Sequence, residues 1–356
     1  MRKASQTIFG GSFVKKYFES KGYSSSEDIS NEISEKIRTL ESERIKLKTE
    51  KIEYNKWLRE HSRDELIYEK ISEAIKNLKP LDVPNYIGST TSTNKSFLLC
   101  LSDVHYGIEF QIKDLFGNII NEYSPEIFEQ RMWRVLDKLV EIIAKEEITE
   151  LNIWELGDSI QGILRLNSQL MQLRYGIIDS AINYANFLSV WLNELSHYVR
   201  INFQMVMDSN HNQLRICNAP KNSFPDENMS KVIMALLKCQ LKDNPNITII
   251  ENPTGMNYSQ LSTYTILGCH GEVKNIENSV DEFSRALGTP IDYLVMGHVH
   301  HSNNKETGIN SEVLTVRSLI GVDPYGMSLR KTSDAGVSLF IFEQYYGKVC
   351  EYSLKV

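Results

Sequence analysis

Five stretches of the chain are almost entirely apolar, and each of them ends in polar residues. They span residues 97–105, 151–158, 203–211, 264–271 and 293–300. Apolar runs of this length, closed by Gly, Asn or His, predict buried β-strands. Three further strand patterns lie near the end of the chain, at residues 312–319, 336–343 and 347–354. Helical patterns separate the first runs, so the order of elements predicts an α/β body whose sheets lean on each other with helices outside.

Residues 27–79 differ from the rest because they lack Gly and Pro and are dense in Glu, Lys and Arg. Ile37, Leu40 and Leu47 recur at helical spacing. With Ile37 at heptad position a, charged residues occupy other a positions, which a regular coiled coil would avoid. Ser62-Arg-Asp-Glu65 resembles a capping box, so the helix either continues there or turns back as a helical hairpin. The alternative to helix pairing is a charged, solvated helix packed on its own domain.

We predict four parts along the chain. They are a short N-terminal segment, residues 1–26; a charged helical arm, residues 27–79; a linker rich in Pro, Ser and Thr, residues 80–96; and the body, residues 97–356. The apolar spacing of the arm suggests a homodimer that forms through residues 27–79.

Composition narrows the class of protein. The 356 residues carry a formal net charge of −7, which disfavours a protein that coats nucleic acid by charge alone. A nuclease stays compatible, because bound divalent metals add positive charge where the phosphate lies. No apolar run approaches the roughly 18 residues of a membrane span. The five scattered cysteines fit a reducing cytoplasm, where we expect the protein.

The polar ends of the five apolar runs supply oxygen and imidazole groups that suit a metal site. Ligand sites form where strand ends and the following loops converge. In Gly297-His-Val-His300 an extended backbone would point both imidazoles the same way. Mixed nitrogen and oxygen ligands suit Mn²⁺, Fe or Zn²⁺ better than Ca²⁺ or Mg²⁺. A single His or Asp of this kind is more often a core residue or a helix cap, but the set predicts a metal-dependent hydrolase.

The same residues resemble a known family. Asp103-Val-His105, Gly157-Asp158, Asn210-His211, His270 and Gly297-His298-Val-His300 resemble, in order and spacing, the motifs of the calcineurin-like metallophosphoesterase superfamily. The resemblance covers roughly residues 97–345 and implies a four-layer α/β/β/α sandwich with two divalent metal ions. It assigns Asp103, His105 and His300 to the first metal, Asn210, His270 and His298 to the second, and Asp158 to both. We expect Mn²⁺, with Fe or Zn²⁺ as alternatives.

The resemblance also implies a mechanism. Two metals can clamp a phosphoryl group and share a water whose lowered pKa supplies hydroxide, and His211 matches the proton donor of the family. Ser209 stands where the family usually has Gly, and Asn212 stands where it usually has an acidic residue. The first change removes backbone latitude, and the second removes a carboxylate that could orient His211. We therefore expect a hydrolase with modest turnover.

Three arginines are candidates to bind phosphate oxygens in a bidentate manner. They are Arg165, Arg174 and Arg215. A solvated helix face is the alternative explanation for Arg165 and Arg174. Residues 159–162 read Ser-Ile-Gln-Gly and lack the signature of the serine/threonine phosphatase branch.

The layout looks like the DNA-repair-exonuclease-like branch of phage and bacterial type, which implies a Mn²⁺-dependent phosphodiesterase that cleaves DNA. One alternative is a phosphodiesterase of small or cyclic nucleotides. Another, of a different class, is an adaptor that dimerises through residues 27–79 and keeps the metals for structure.

Overall fold

Two units make up the chain, Met1–Glu69 and Lys70–Val356. The structure is a computed structural model that describes a defined set of residues. These are residues 26–89, 93–162, 171–214, 227–309 and 311–356, together with Ser20 and Gly22. Nearly all of the predicted N-terminal segment therefore lies outside the described residues. The boundaries drawn from the sequence between arm, linker and body stay a prediction.

A single helix, α1, spans Ser26–Lys76. It runs through the capping-box pattern without a break, so the continuous helix is the alternative that is found and the helical hairpin is not. Within the first unit, Ile37, Leu40 and Leu47 are 50%, 64% and 66% exposed. The apolar spacing of the arm thus forms an exposed stripe on α1.

The segment that follows α1 is held on the second unit. Leu78 and Leu81 pack against the main hydrophobic cluster of this unit. The backbone N–H of Ile87 donates to the carbonyl of His197 over 2.8 Å. Part of the stretch predicted as a linker therefore lies against the body.

The second unit contains, among its described residues, thirteen strands and five helices beyond α1. The strands are β1 (Lys95–Leu101), β2 (Phe110–Lys113), β3 (Ile119–Tyr123), β4 (Glu150–Glu155), β5 (Arg200–Met205), β6 (Ile247–Ile249), β7 (Asn257–Leu261), β8 (Tyr264–Cys269), β9 (Tyr293–Met296), β10 (Asn303–Gly308), β11 (Ser311–Thr315), β12 (Gly336–Glu343) and β13 (Gly347–Lys355). The helices are α2 (Pro125–Glu146), α3 (Ile177–Leu195), α4 (Met229–Leu241), α5 (Ser279–Leu287) and α6 (Pro324–Ser328).

The strands form two large sheets and a hairpin. The first sheet has the order β13-β12-β1-β4-β5-β6, the second has the order β10-β11-β9-β8-β7, and β2 pairs with β3. In the first sheet β1, β4, β5 and β6 are parallel. In the second sheet β11, β9 and β8 are parallel. The carboxyl ends of the central strands therefore meet at one edge of each sheet.

Alternation along the strands separates the layers. In β1, Leu98 and Cys100 belong to a cluster that both sheets share, whereas Leu99 and Leu101 belong to the cluster beneath α2, α3 and α4. On the other sheet, Leu294 of β9 packs with residues of α5. Successive side chains of a strand point to opposite faces, so two sheets stack face to face with helices on both outer sides. The predicted four-layer α/β/β/α sandwich with an N-terminal helix is confirmed.

The helix α2 begins and ends at defined caps. The hydroxyl of Ser124 accepts the N–H of Ile127 over 3.3 Å, and Pro125 occupies the first turn, where no N–H is needed. Glu147 ends the helix in a left-handed conformation. Among the described helices, none has the length and apolar character that crossing a membrane requires.

Candidate metal centre

The predicted ligands lie together where the central strands of both sheets end. Donor atoms of three groups of side chains lie within 4.8 Å of one another in each group. The groups are Asp103, His105 and His300; His105, Asp158 and His211; and Asp158, His270 and His298. Asp158 and His105 each belong to two groups, so the groups form one connected cluster. The structure thus brings together the residues that the five motifs singled out, and these clusters could hold divalent metal ions.

Left-handed backbone conformations concentrate at this cluster. The φ angles of five candidate ligands are positive: Asp103 (50°), His105 (50°), Asp158 (55°), His298 (64°) and His300 (59°). This conformation costs roughly 1–2 kcal/mol for a residue with a Cβ, and such strain is typical of functional sites. The expectation of an extended backbone at residues 297–300 is wrong, because β9 already ends at Met296. Both imidazoles still reach the cluster, through tight turns after the strand.

Asp103 is fully buried, and only one of its oxygens has hydrogen-bond partners. Its Oδ2 accepts from the Ser102 hydroxyl over 2.5 Å and from the His298 backbone N–H over 2.9 Å. Its Oδ1 has no hydrogen-bond partner among the described residues, and neither ring nitrogen of His105 has one. The Nε2 atoms of His300 and His105 lie 3.3 Å and 4.0 Å from this Oδ1. Buried polar atoms without partners cost about 1–3 kcal/mol each, so this donor set fits a metal ion.

Asp158 lies between the remaining donors. Its Oδ1 accepts the backbone N–H of His211 over 2.9 Å. Its Oδ2 lies 3.0 Å from the Nε2 of His270 and 3.9 Å from the Nε2 of His211. The carbonyl of Asp158 accepts the N–H of His105 over 2.8 Å, which ties the turns after β1 and β4 together. This position suits a carboxylate that contacts two metal ions.

His270 is oriented by the backbone behind it. Its Nδ1 lies 2.9 Å from the carbonyl of Leu156, so the Nδ1–H donates and Nε2 faces the cluster. The Oδ1 of Asn210 and the Nδ1 of His298 lie 3.1 Å and 3.2 Å from that Nε2. Metal-binding imidazoles are commonly fixed in this way, with the far nitrogen donating to a carbonyl. Asn210, His270, His298 and Asp158 therefore lie together, as the predicted second donor set requires.

The imidazoles of the cluster divide into two electrostatic classes. For His270, burial lowers the pKa, but the Asp158 carboxylate raises it more, to about 10. For His300, burial also lowers the pKa, but the Asp103 carboxylate raises it more. Burial lowers the pKa of His105 to about 3 and that of His211 to about 4. Without metal, a proton on His270 therefore offsets the charge of the Asp158 carboxylate.

Ser209 and Asn212, where the chain departs from the family pattern, have structural roles. The Ser209 hydroxyl accepts the backbone N–H of Asp158 over 2.9 Å. The side chain of Asn212 accepts from the N–H of Ile160 and donates to the hydroxyls of two serines. The Nδ1 of His211 has no hydrogen-bond partner among the described residues. Asn212 thus fixes the loops around the site and does not replace a carboxylate that orients His211.

Glu155 is a buried residue near the site that the sequence reasoning missed. It lies at the end of β4 and is fully buried. Its carboxyl group accepts from the N–H of Gly157 over 3.2 Å and from the hydroxyl of Ser159 over 3.0 Å. Burial raises its pKa to about 8. The signal was a lone acid inside an apolar strand run, and its position shows that it braces the turn that carries Asp158.

A cavity of about 790 Å³ opens over the cluster. Candidate ligands line one side, and ten residues between positions 321 and 333, which the motifs did not include, line another. Arg174 is not among the lining residues; its guanidinium lies 2.7 Å from the carboxylate of Glu126. Arg165 and Arg215 lie outside the described residues. The binding of substrate by these three arginines stays a prediction, and the placement of Arg174 gives it no support.

Solved structures that resemble the chain include two metal-related proteins. A dimetal phosphatase from Danio rerio is 10% identical with a TM-score of 0.34, and the match covers 73% of this chain and 98% of that chain. Vps29 from Entamoeba histolytica, solved in complex with zinc, is 12% identical with a TM-score of 0.29, over 73% of this chain and 98% of that chain. Both TM-scores lie below 0.5, so these likenesses decide neither fold nor function.

Similarity at the level of sequence is closer. Residues 36–78 match the family model of the YonJ coiled-coil domain. The chain is 33% identical over 323 residues to the SPbeta prophage-derived uncharacterized protein YonJ of Bacillus subtilis (strain 168). That match covers 89% of this chain and 78% of the relative. The chain therefore belongs to the YonJ family.

Proposed function

We propose that the chain is a di-metal phosphodiesterase whose substrate is DNA. The observation that carries the proposal is the position of Asp158, which belongs to two of the three donor groups. One carboxylate between two donor sets is the arrangement that a pair of metal ions requires. When bound, two such ions stabilise charge on phosphoryl oxygens and lower the pKa of a water molecule.

The side chains of the protein then have distinct tasks. The two donor sets would hold the ions, and the turns in left-handed conformation fix the donors before substrate arrives. His211 lines the cavity beside Asp158, which supports its proposed role as the donor of a proton from Nε2 to the leaving oxygen. Because burial keeps its pKa at about 4, we expect it to gain that proton only when a phosphate anion is close.

Hydrolysis of small or cyclic nucleotides is the second candidate activity. The cavity volume of about 790 Å³ favours it, because pockets for small molecules commonly measure about 300–1,000 Å³. A non-catalytic adaptor is the third candidate. The exposed apolar stripe of α1 favours that role, since a paired helix would cover it.

The test compares four substrates with one metal. The full chain is stripped with chelator, reloaded with Mn²⁺, and offered single-stranded DNA, duplex DNA, a cyclic nucleotide and bis(p-nitrophenyl) phosphate. We expect DNA cleavage. Asp158→Asn should reduce its rate by more than about a hundredfold, which exceeds the usual effect of removing a residue that only orients a metal ligand. Asp137→Asn, the same change at an exposed site on α2, serves as the matched control.

Each result has a definite meaning. DNA cleavage that Asp158→Asn retains would make the di-metal mechanism wrong. Turnover of the small diesters alone would favour the nucleotide phosphodiesterase. A protein that retains Mn²⁺ and hydrolyses none of the four substrates would favour the adaptor.

A further inference from the structure

The cavity has a second wall, formed by the segment around α6. Asp323 starts this short helix, and its Oδ1 accepts the N–H of Gly326 over 2.7 Å. At the other end, the N–H of Lys331 donates to the carbonyl of Gly326 over 2.9 Å. Tyr325, Arg330 and Lys331 line the cavity. The segment is therefore fixed by its own hydrogen bonds, and it presents two cations and an aromatic ring.

Arg330 occupies a position that usually belongs to glycine. Its φ is 59°, and the bond from Lys331 to Gly326 spans the six residues that close a helix in the Schellman motif. Gly is the common residue at the left-handed position of that motif because it has no Cβ. An arginine at a strained position next to a candidate site points to a use for its side chain.

The wall carries two cations, Arg330 and Lys331, and one carboxylate, that of Asp323. Among the described residues, no carboxylate forms an ion pair with Arg330 or Lys331, whereas Lys348 and Lys355 are paired with Glu312 and Asp334. The carboxylate of Asp323 is used as the cap of α6. Two unpaired cations beside a metal centre attract a ligand with more than one negative charge.

The ring of Tyr325 is 51% exposed on the same wall. An exposed aromatic ring beside cations is the combination that binds single-stranded nucleic acid, because an unpaired base can stack on the ring. The base of a duplex is not available for such stacking. The cavity of about 790 Å³ has room for nucleotides.

We infer that Arg330 and Lys331 bind the phosphate next to the scissile phosphodiester of a single-stranded nucleic acid, with a base against Tyr325. The inference rests on the proposed phosphodiesterase function and deepens it, because it assigns the form of the substrate. It also names the contacts by which the site distinguishes an oligonucleotide, which has several phosphates, from a small diester, which has one.

Steady-state kinetics with the Mn²⁺-loaded full chain test this inference. The substrates are an oligothymidylate and bis(p-nitrophenyl) phosphate. The variant Arg330→Gln/Lys331→Gln should lower kcat/KM for the oligonucleotide on the order of tenfold more than for the small diester, mainly through KM. The slope of log KM against log salt should become shallower by about 0.7 for each lost phosphate contact. Arg134→Gln/Lys138→Gln removes the same charge from the exposed face of α2 and should change kcat/KM for neither substrate.

Arg330→Gly separates the substrate effect from a folding effect. Glycine fits the left-handed position better, so the melting temperature should stay equal or rise. KM for the oligonucleotide should nevertheless increase, because the guanidinium is lost. A variant that is both more stable and a weaker binder of the strand would exclude unfolding as the cause.

Several results would overturn the inference. One is an equal decrease of kcat/KM for both substrates in the Arg330/Lys331 variant. Another is the same selective decrease in the Arg134/Lys138 control. A parent protein that cleaves the small diester and not the oligonucleotide would overturn the inference and leave phosphodiesterase chemistry intact. A parent that cleaves neither would overturn both.

Discussion

His270 shows how the metal-free cluster balances its charge. The Asp158 carboxylate, whose Oδ2 lies 3.0 Å from the Nε2 of His270, raises the pKa of the imidazole to about 10. Burial raises the pKa of Asp158 itself, but the neighbouring imidazoles lower it by more. The pKa of Asp158 therefore lies well below its ordinary value. A proton thus lies on His270 at neutral pH, at the nitrogen that would otherwise bind a metal ion. Metal and proton compete for the same lone pair.

We expect metal binding to release protons. A metal ion must displace the proton of His270 at any pH below about 10, so affinity should increase about tenfold per pH unit for each proton released. Titration calorimetry with Mn²⁺ in buffers of different ionisation enthalpy, between about pH 6 and pH 8, measures the number of protons released on metal binding. We expect about one proton from His270 and up to one more from His300, whose pKa is also raised.

Two variants test the origin of these protons. His270→Gln should release one proton fewer than the parent. His211→Gln should release the same number as the parent, because burial keeps the His211 ring neutral, with a pKa of about 4. An affinity that does not change with pH in the parent would contradict the competition.

Side-chain chemistry at this scale was predictable, and backbone conformation was not. The ligands follow from residue type and spacing, since few alternatives explain Asp, Asn and His at five strand ends. The left-handed turns depend on hydrogen bonds from other strands, such as the N–H of Asp103 to the carbonyl of Gly157, 3.2 Å apart. Nothing local in the sequence indicates those partners.

At the scale of the elements, the site depends on how closely the ends of β1 and β9 approach. Gly297 follows β9, and a Cβ on it would lie 1.8 Å from the Ser102 hydroxyl and 2.8 Å from Oδ2 of Asp103. Asp103 is held there by the backbone N–H of His298. The glycine therefore permits the contact that joins the two sheets at the metal centre.

Gly297→Ala should disturb this contact. The added methyl group must displace Asp103 or the turn after β9, so we expect Mn²⁺ affinity to fall by about 10–100-fold, as when the groups that orient a ligand are lost. The free energy of unfolding should decrease by about 1–3 kcal/mol. Gly308→Ala is the matched control, because its Cβ would meet nothing closer than 3.7 Å. Equal Mn²⁺ affinity in the Gly297 variant and the parent would show that the close approach does not support the site.

The strands were predictable because long apolar runs leave few alternatives. The wall around α6 was not, because residues 321–333 have no regular apolar spacing and follow the last motif by twenty residues. These residues lie beside the cavity because they connect β11 of the second sheet with β12 of the first sheet. The sequence therefore predicts phosphate ligands only near Asp158 and His211, where motifs are dense.

At the scale of the whole molecule, the chain combines a helical arm with a body that carries every candidate ligand. The ligands all belong to Lys70–Val356, and the exposed stripe of Ile37, Leu40 and Leu47 belongs to Met1–Glu69. The sequence predicts the helix because its composition excludes breakers. It does not fix the partner of the helix, since charged residues interrupt the heptad pattern. A second copy of the chain is the partner that we predict.

Substitutions on α1 can decide this prediction. Leu40→Glu/Leu47→Glu places charges on the stripe at heptad position d and should weaken a homodimer by more than about a hundredfold in Kd. Ser42→Glu/Thr49→Glu adds the same charges at the same spacing on position f, away from the stripe, and should leave the dimer intact. Analytical ultracentrifugation of the full chain at micromolar concentration measures both. The d-position variant should keep its phosphodiesterase activity, because no candidate ligand lies in the first unit. A parent that sediments as a monomer, or an f-position variant that dissociates equally, would exclude a dimer through this stripe.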